Sequence, residues 1–127
     1  IHGIQVVPLV GPSSLMLALM GSGLNGQSFA FCGYLPTKTD ERRKAIRDIE
    51  KRSSQLNQTE IFIETPYRND SMMADLLASL QPQTRLCVAA DITLPDEMIL
   101  TKSVKEWKRA PLTIGKRPCV FLLLAGR

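Results

Sequence analysis

Along this chain, short apolar runs of strand length alternate with stretches whose apolar residues recur at helical spacing, and that alternation constrains the fold more than any other feature. Phe29 to Leu35 reads as a strand ending at Pro36, Glu60 to Glu64 as a second, Arg85 to Asp91 as a third and Glu97 to Thr101 as a shorter fourth. Cys119 to Leu124 is a continuous apolar strand that closes the sheet. Between these runs, Thr39 or Asp40 caps a charged helix to about Gln55, whose apolar stripe is Ala45, Ile46 and Ile49, so it should lie on the surface. Pro66 opens a helix with Met73, Leu76, Leu77 and Leu80 on one face, and Ser103 to Arg109 forms a brief one. The spacing predicts a further helix from Pro12 to Met20, with Gly21 and Gly23 as stops. Leu15, Met16, Leu17, Leu19 and Met20 leave it without a polar face, so it should be buried on several sides. The whole reads as an α/β layered domain. Met98 to Thr101 so soon after Asp91 predicts a hairpin, hence a mixed β-sheet flanked by helices.

With 127 residues and 44% hydrophobic content, the chain has the size of one ordinary domain and can bury roughly two-thirds of its unfolded surface. Ile1 is not an initiator methionine, and Gly3 to Val10 reads like a strand and turn already under way, so a preceding segment is expected. No apolar run approaches the roughly 18 residues of a membrane span and no signal peptide is recognisable, so a cytoplasmic protein is the default. Cys32, Cys87 and Cys119 each sit in an apolar, strand-like run, without a Cys-x-x-Cys pair and with only His2 as a nitrogen ligand. That pattern points to buried free thiols, not to a metal site or a disulfide framework.

Lysine and arginine exceed the acids by 16 to 12, concentrated from Lys38 to Arg52 and from Lys102 to Arg117. Arg42, Arg43, Lys44, Arg47, Lys51 and Arg52 are mixed with Glu41, Asp48 and Glu50 at spacings that pair along a helix, which reads first as a solvated surface and second as a phosphate-facing surface for RNA. Interleaved aromatics are absent between Lys38 and Arg52, so a base-stacking platform is not expected. Glycine-rich phosphate loops, a nucleophile elbow and a histidine-based triad are all missing. Asp96 and Glu97 are adjacent, and neighbours on a strand point apart. No catalytic residue emerges.

Four segments carry the reading further: Val10-Gly11-Pro12-Ser13-Ser14 with Ser22-Gly23-Leu24; Phe31-Cys32-Gly33-Tyr34-Leu35-Pro36 followed by Glu41-Arg42-Arg43; Ile63-Glu64-Thr65-Pro66-Tyr67-Arg68; and Val88 to Glu97. In this order and spacing they resemble the C-terminal portion of tetrapyrrole methylase family proteins, in particular the branch that methylates a ribose 2′-hydroxyl of small-subunit ribosomal RNA. The resemblance spans nearly the whole chain. It implies a methyltransferase of two α/β domains with S-adenosylmethionine in the cleft between them and S-adenosylhomocysteine as product. Residues 1–24 would be the interdomain strand and apolar linker helix, 25–127 the C-terminal domain, and the N-terminal domain would be absent from this chain. A homodimer and a ribosomal RNA partner are implied as well, and this piece alone should be inactive.

Carried over by position, Ser13 and Ser14 at the start of the linker helix, Ile63, Glu64 and Thr65 at a strand end, Ile92 and Thr93 after the next strand, and Pro118 and Cys119 at the last strand would line the cofactor. The chain also departs from the branch. Where that branch tends to have Ala-Arg-Glu-Leu-Thr-Lys-x-His-Glu-Glu, Ala89 to Glu97 lacks the Arg, the Lys and the His, and Tyr67 replaces the His of its Pro-His-Arg motif. Weaker phosphate contact follows. A non-catalytic ligand-binding or dimerisation module of the same fold is the alternative, and a tetrapyrrole the alternative substrate.

Overall fold

The computed structural model describes residues 12–126, with side-chain surroundings from Ser14 onward; the strand read from Gly3 to Val10 lies outside the described residues. Five strands form one mixed sheet: β1 (Phe29–Tyr34), β2 (Thr59–Ile63), β3 (Arg85–Ala90), β4 (Met98–Ser103) and β5 (Cys119–Leu124), in the order β1-β2-β5-β3-β4. β1 and β2 are parallel, and every other pairing is antiparallel. The hairpin expected from the short spacing is β3–β4. The strand that closes the chain's sheet pattern is central, between β2 and β3.

Its apolarity follows from that position. Cys119, Phe121 and Leu123 point into one core, with Phe62 stacked on Phe121 at 5.6 Å between ring centroids. Val120, Leu122 and Leu124 point into the other. A strand with both faces covered loses the polar alternation of a half-exposed one.

The first core is roofed by α2 (Thr39–Leu56), α3 (Asn69–Ser79) and α4 (Val104–Arg109), and a 3₁₀ turn, Pro66–Arg68, leads into α3. Met72, next to the expected stripe, is fully buried there as well. Trp107 anchors α4, its indole N–H donating to the Leu86 carbonyl at 2.8 Å. Two readings of α2 need correction. Lys38 is its N-cap and makes no side-chain cap, because Thr39 and Asp40 already lie in the first turn, where Asp40 and Glu41 complement the helix dipole. Its inner face is also wider than the apolar stripe, burying Arg42, Glu50 and Ser53 along with Ile46.

The second core is roofed by α1 (Pro12–Ser22), which packs over β3, β4 and β5. Ala18 and Leu19 enter that core, whereas Met16, Leu17 and Met20 are exposed, Met20 to 74%. This helix is therefore covered on one side by the described residues, not on several. Phe29 and Phe31 of the edge strand β1 are exposed too. Their cross-strand partners are Thr59 and Ile61, which places Phe31 on the face of α1. Gly33, at φ +71°, absorbs the register shift after Phe31, a left-handed conformation that glycine adopts without a Cβ clash.

Candidate functional site

Because β2 and β3 both run antiparallel to β5, their C-terminal ends and the N-terminus of β5 meet at one edge of the sheet. The register fixes how closely: Ile63 opposes Val120, and Ala90 is flanked by Cys119 and Met98. Ile63, Glu64, Thr65, Ile92, Thr93, Pro118 and Cys119 are thus gathered at one place from segments distant in sequence. Ser13 and Ser14 start α1. The next residue, Leu15, flanks the same apolar cluster as Ile63 and Ile92.

The β2 end is held by a buried ionic network. Arg42 is 1% exposed. Its guanidinium donates to Glu64 Oε2 and Asp75 Oδ2, both at 3.0 Å, to Ser71 Oγ at 3.1 Å and to the Pro36 carbonyl at 3.0 Å. Arg43 Nε reaches the other oxygen of Asp75 at 2.9 Å. Glu64 Oε1 accepts the Thr65 amide at 2.7 Å and lies 3.9 Å from Arg68 Nη1. Two buried carboxylates shared by a planar fork of donors is an arrangement suited to arginine. Glu64 is therefore neither an exposed strand end nor a free acid.

The β3 end is a tight loop carrying two left-handed residues, Asp91 at φ +52° and Thr93 at φ +69°. For a β-branched residue that is a strained conformation, of order 1–3 kcal/mol. Arg117 offsets it by clipping the loop: Nε meets Asp91 Oδ2 at 2.6 Å and Nη2 donates to the Asp96 carbonyl at 2.9 Å. Glu97 Oε1 accepts the Thr93 amide at 2.8 Å, and the Asp91 amide donates to the Pro118 carbonyl at 2.9 Å. Arg117 is itself positioned by the start of α3. Asn69 donates to the Gly115 and Arg117 carbonyls, and the Asp70 carboxylate accepts the Ile114 and Gly115 amides.

Of the residues assigned from sequence, Ile63, Thr65, Ile92 and Pro118 are half-buried and Thr93 is exposed at this edge. Cys119 needs correction, because its side chain enters the core under α2–α4 and only its backbone faces the edge. Burial pushes its thiol well above the ordinary range, and burial likewise pushes Cys87 up to about 11. Cys32 also rises to about 11, through burial first and then Glu60. All three are free thiols. Among the described residues no group of His, Cys, Asp and Glu is arranged to hold a metal ion. Arg42, Asp75, Asn69, Asp70 and Arg117 escaped the sequence reading as supports of this edge. The only signal for the first was the Glu-Arg-Arg motif, and charge counting had set Arg42 on a solvated surface. A cavity of about 400 Å³, lined by Arg47, Glu50, Lys51, Gln83 and Gly126 among others, lies at the opposite end of the strands.

The chain is 37% identical over 108 residues to ribosomal RNA small subunit methyltransferase I of Neisseria meningitidis serogroup B, covering 85% of this chain and 35% of that protein. The protein of the same name from Vibrio cholerae is 36% identical over 97 residues, covering 76% of this chain and 32% of its own length. The chain is a homologue of these proteins over the stretch they share. It spans about a third of the length of the curated relatives it matches. Cobalt precorrin-4 methyltransferase CbiF, a cobalamin biosynthetic enzyme, shares the fold with a TM-score of 0.57 at 18% identity, over 87% of this chain and 48% of that one. The methyltransferase CobJ does so with 0.54 at 14% identity, over 87% and 47%. No protein-family model matches the chain.

Two of the four segments that carried the family resemblance meet in the Arg42 network. Pro36 supplies a carbonyl, Arg42 and Arg43 the guanidinium groups, and Glu64, Thr65 and Arg68 the strand end they hold. These motif residues brace the edge of the sheet.

Proposed function

We propose that this chain is the C-terminal part of an S-adenosylmethionine-dependent methyltransferase that acts on a ribosomal RNA ribose 2′-hydroxyl, with an N-terminal domain completing the cleft. The observation that carries the reading is the convergence of Ile63–Thr65, the 91–93 turn and Pro118 at one braced edge. The residues present fit the cofactor. Ile63 and Ile92 offer aliphatic sides for an adenine ring, and the main chain at 91–93 and 118 offers carbonyls and amides. The buried carboxylate of Glu64 is already neutralised by Arg42. When bound, S-adenosylmethionine supplies an activated methyl group. The chain's own residues contribute position, since a strained loop clipped at both ends holds its backbone dipoles in place without reorganisation. The names of the relatives support RNA as the acceptor, and the loss of basic residues between Ala89 and Glu97 shifts phosphate contact to other parts of the surface.

The exposed apolar residues of α1 and β1 support a covering partner, either the N-terminal domain or a second copy in a homodimer. The described residues include no helix long and apolar enough to cross a membrane.

Calorimetry on the complete protein tests the cofactor site. Ile92→Asp places an uncompensated charge beside the ring and should weaken S-adenosylmethionine binding strongly, whereas Cys32→Ser should leave it unchanged. Equal affinities would remove Ile92 from the site.

A further inference from the structure

Tyr67 is the residue at the braced edge that the cofactor reading leaves unused. It sits in the 3₁₀ turn directly after Thr65 and Pro66 and is 80% exposed. Lys116, 49 positions away and delivered by the loop that Asn69 and Asp70 pin, places its ammonium 5.2 Å from the ring centroid. Arg68 is half-exposed beside it and tethered to Thr65 and Glu64. Tyr34, the chain's other tyrosine, is also exposed at this end, opposite Ile63. The fold brings an open aromatic ring and two cations together at the mouth of the site.

Resting on the RNA reading above, we propose that Tyr67, Lys116 and Arg68 form a subsite that stacks an unpaired RNA base and holds its phosphate. Lys116 occupies one side of the ring by a cation–π contact, and the exposure of the ring leaves a π-face for a base. An ammonium this close to the ring lies within reach of the phosphate of a nucleotide stacked there. Stacking on an aromatic face together with a cation on the backbone is how proteins commonly take single-stranded RNA. The pinned loop keeps Lys116 in place before the RNA arrives.

The test uses the complete protein, a single-stranded RNA oligonucleotide and S-adenosylmethionine in separate titrations, with circular dichroism to verify folding. Tyr67→Ala should weaken RNA binding by about five- to a hundredfold, the range for loss of one stacked base. Tyr67→Phe should bind within about twofold of wild type, since the ring carries the contact and the hydroxyl does not. Lys116→Gln should make the salt dependence of RNA binding shallower by about 0.7 in the log–log slope, one phosphate contact on a single strand. S-adenosylmethionine affinity should not change in any of the three. RNA binding by Tyr67→Ala equal to wild type overturns the subsite, as does a loss in Tyr67→Phe as large as in the alanine variant. If Tyr67→Ala spares RNA but loses a planar tetrapyrrole, the ring serves that class of ligand and the proposal fails. A wild-type protein that binds the cofactor but no RNA overturns the RNA reading along with the subsite, and one that binds RNA but no cofactor overturns the methyltransferase reading alone.

Discussion

Arg42 holds together two buried carboxylates, Glu64 and Asp75, and a buried charge stripped of its partner is among the most costly defects a fold can carry. Arg42→Met should therefore destabilise the domain by about 3–5 kcal/mol, read from urea denaturation. Arg42→Lys should recover only part of that, because an ammonium cannot span both carboxylates and the Pro36 carbonyl as a planar fork does. A loss under about 1 kcal/mol in the methionine variant would show that the network contributes little. Arg42 was not legible in sequence as a support, because its helix carries basic residues on every side and only the fold decides which one turns inward. Cys87 and Cys119 were legible as buried thiols, since each lies in an apolar run, whereas Cys32 is only half-buried, beside the Arg52–Glu60 ion pair. Cys87 has a folded value near 11 against an ordinary 9.0, so the native state retains a proton that the unfolded chain releases first. Its contribution is intact below about 9 and is lost as the pH rises toward 11. At pH 8, iodoacetamide should label half-buried Cys32 slowly and the two buried thiols only after denaturation, and rapid labelling of Cys87 in the native protein would contradict this burial.

Among the elements, α4 is short and depends on its ends. Ser103 accepts the Glu106 amide while the Glu106 carboxylate accepts the Ser103 amide, a reciprocal cap that also lowers the Glu106 pKa, with Ser103's backbone the first cause. Ser103→Ala should cost about 1 kcal/mol in denaturant midpoint analysis, and loss of the cap should loosen Trp107 from the Leu86 carbonyl, visible as a shift in its fluorescence. An unchanged midpoint and spectrum would mean that packing of Trp107 alone holds the helix. The strands and helices were mostly readable because their periodicities reflect which faces meet a core. The α1 helix was the exception. A helix apolar on every side signals burial, but the signal cannot tell burial within a domain from burial against a neighbour, and Met16, Leu17 and Met20 are turned away from this core. The site edge was legible only through its resemblance to known motifs. The Asp91–Arg117 clip joins positions 26 apart, and no local pattern announces it.

For the whole molecule, the uncovered apolar side of α1 predicts self-association of this chain. Sedimentation should show a concentration-dependent dimer that Met16→Glu with Met20→Glu abolishes, and both positions are exposed enough for the variant to keep its fold. A wild-type chain that stays monomeric at high concentration would refute it. The central place of β5 has a consequence in time. Among the described residues β2 and β3 do not touch as strands, so the β1–β2 pair and the β3–β4 hairpin are joined into one sheet there only by residues 119–124. Everything made earlier must wait, its apolar faces unmatched, for the last of these strands to slot between two already formed edges. Such late, long-range closure slows folding and lengthens exposure to misassembly. Synthesis that halts before Cys119 would leave two unlinked strand pairs.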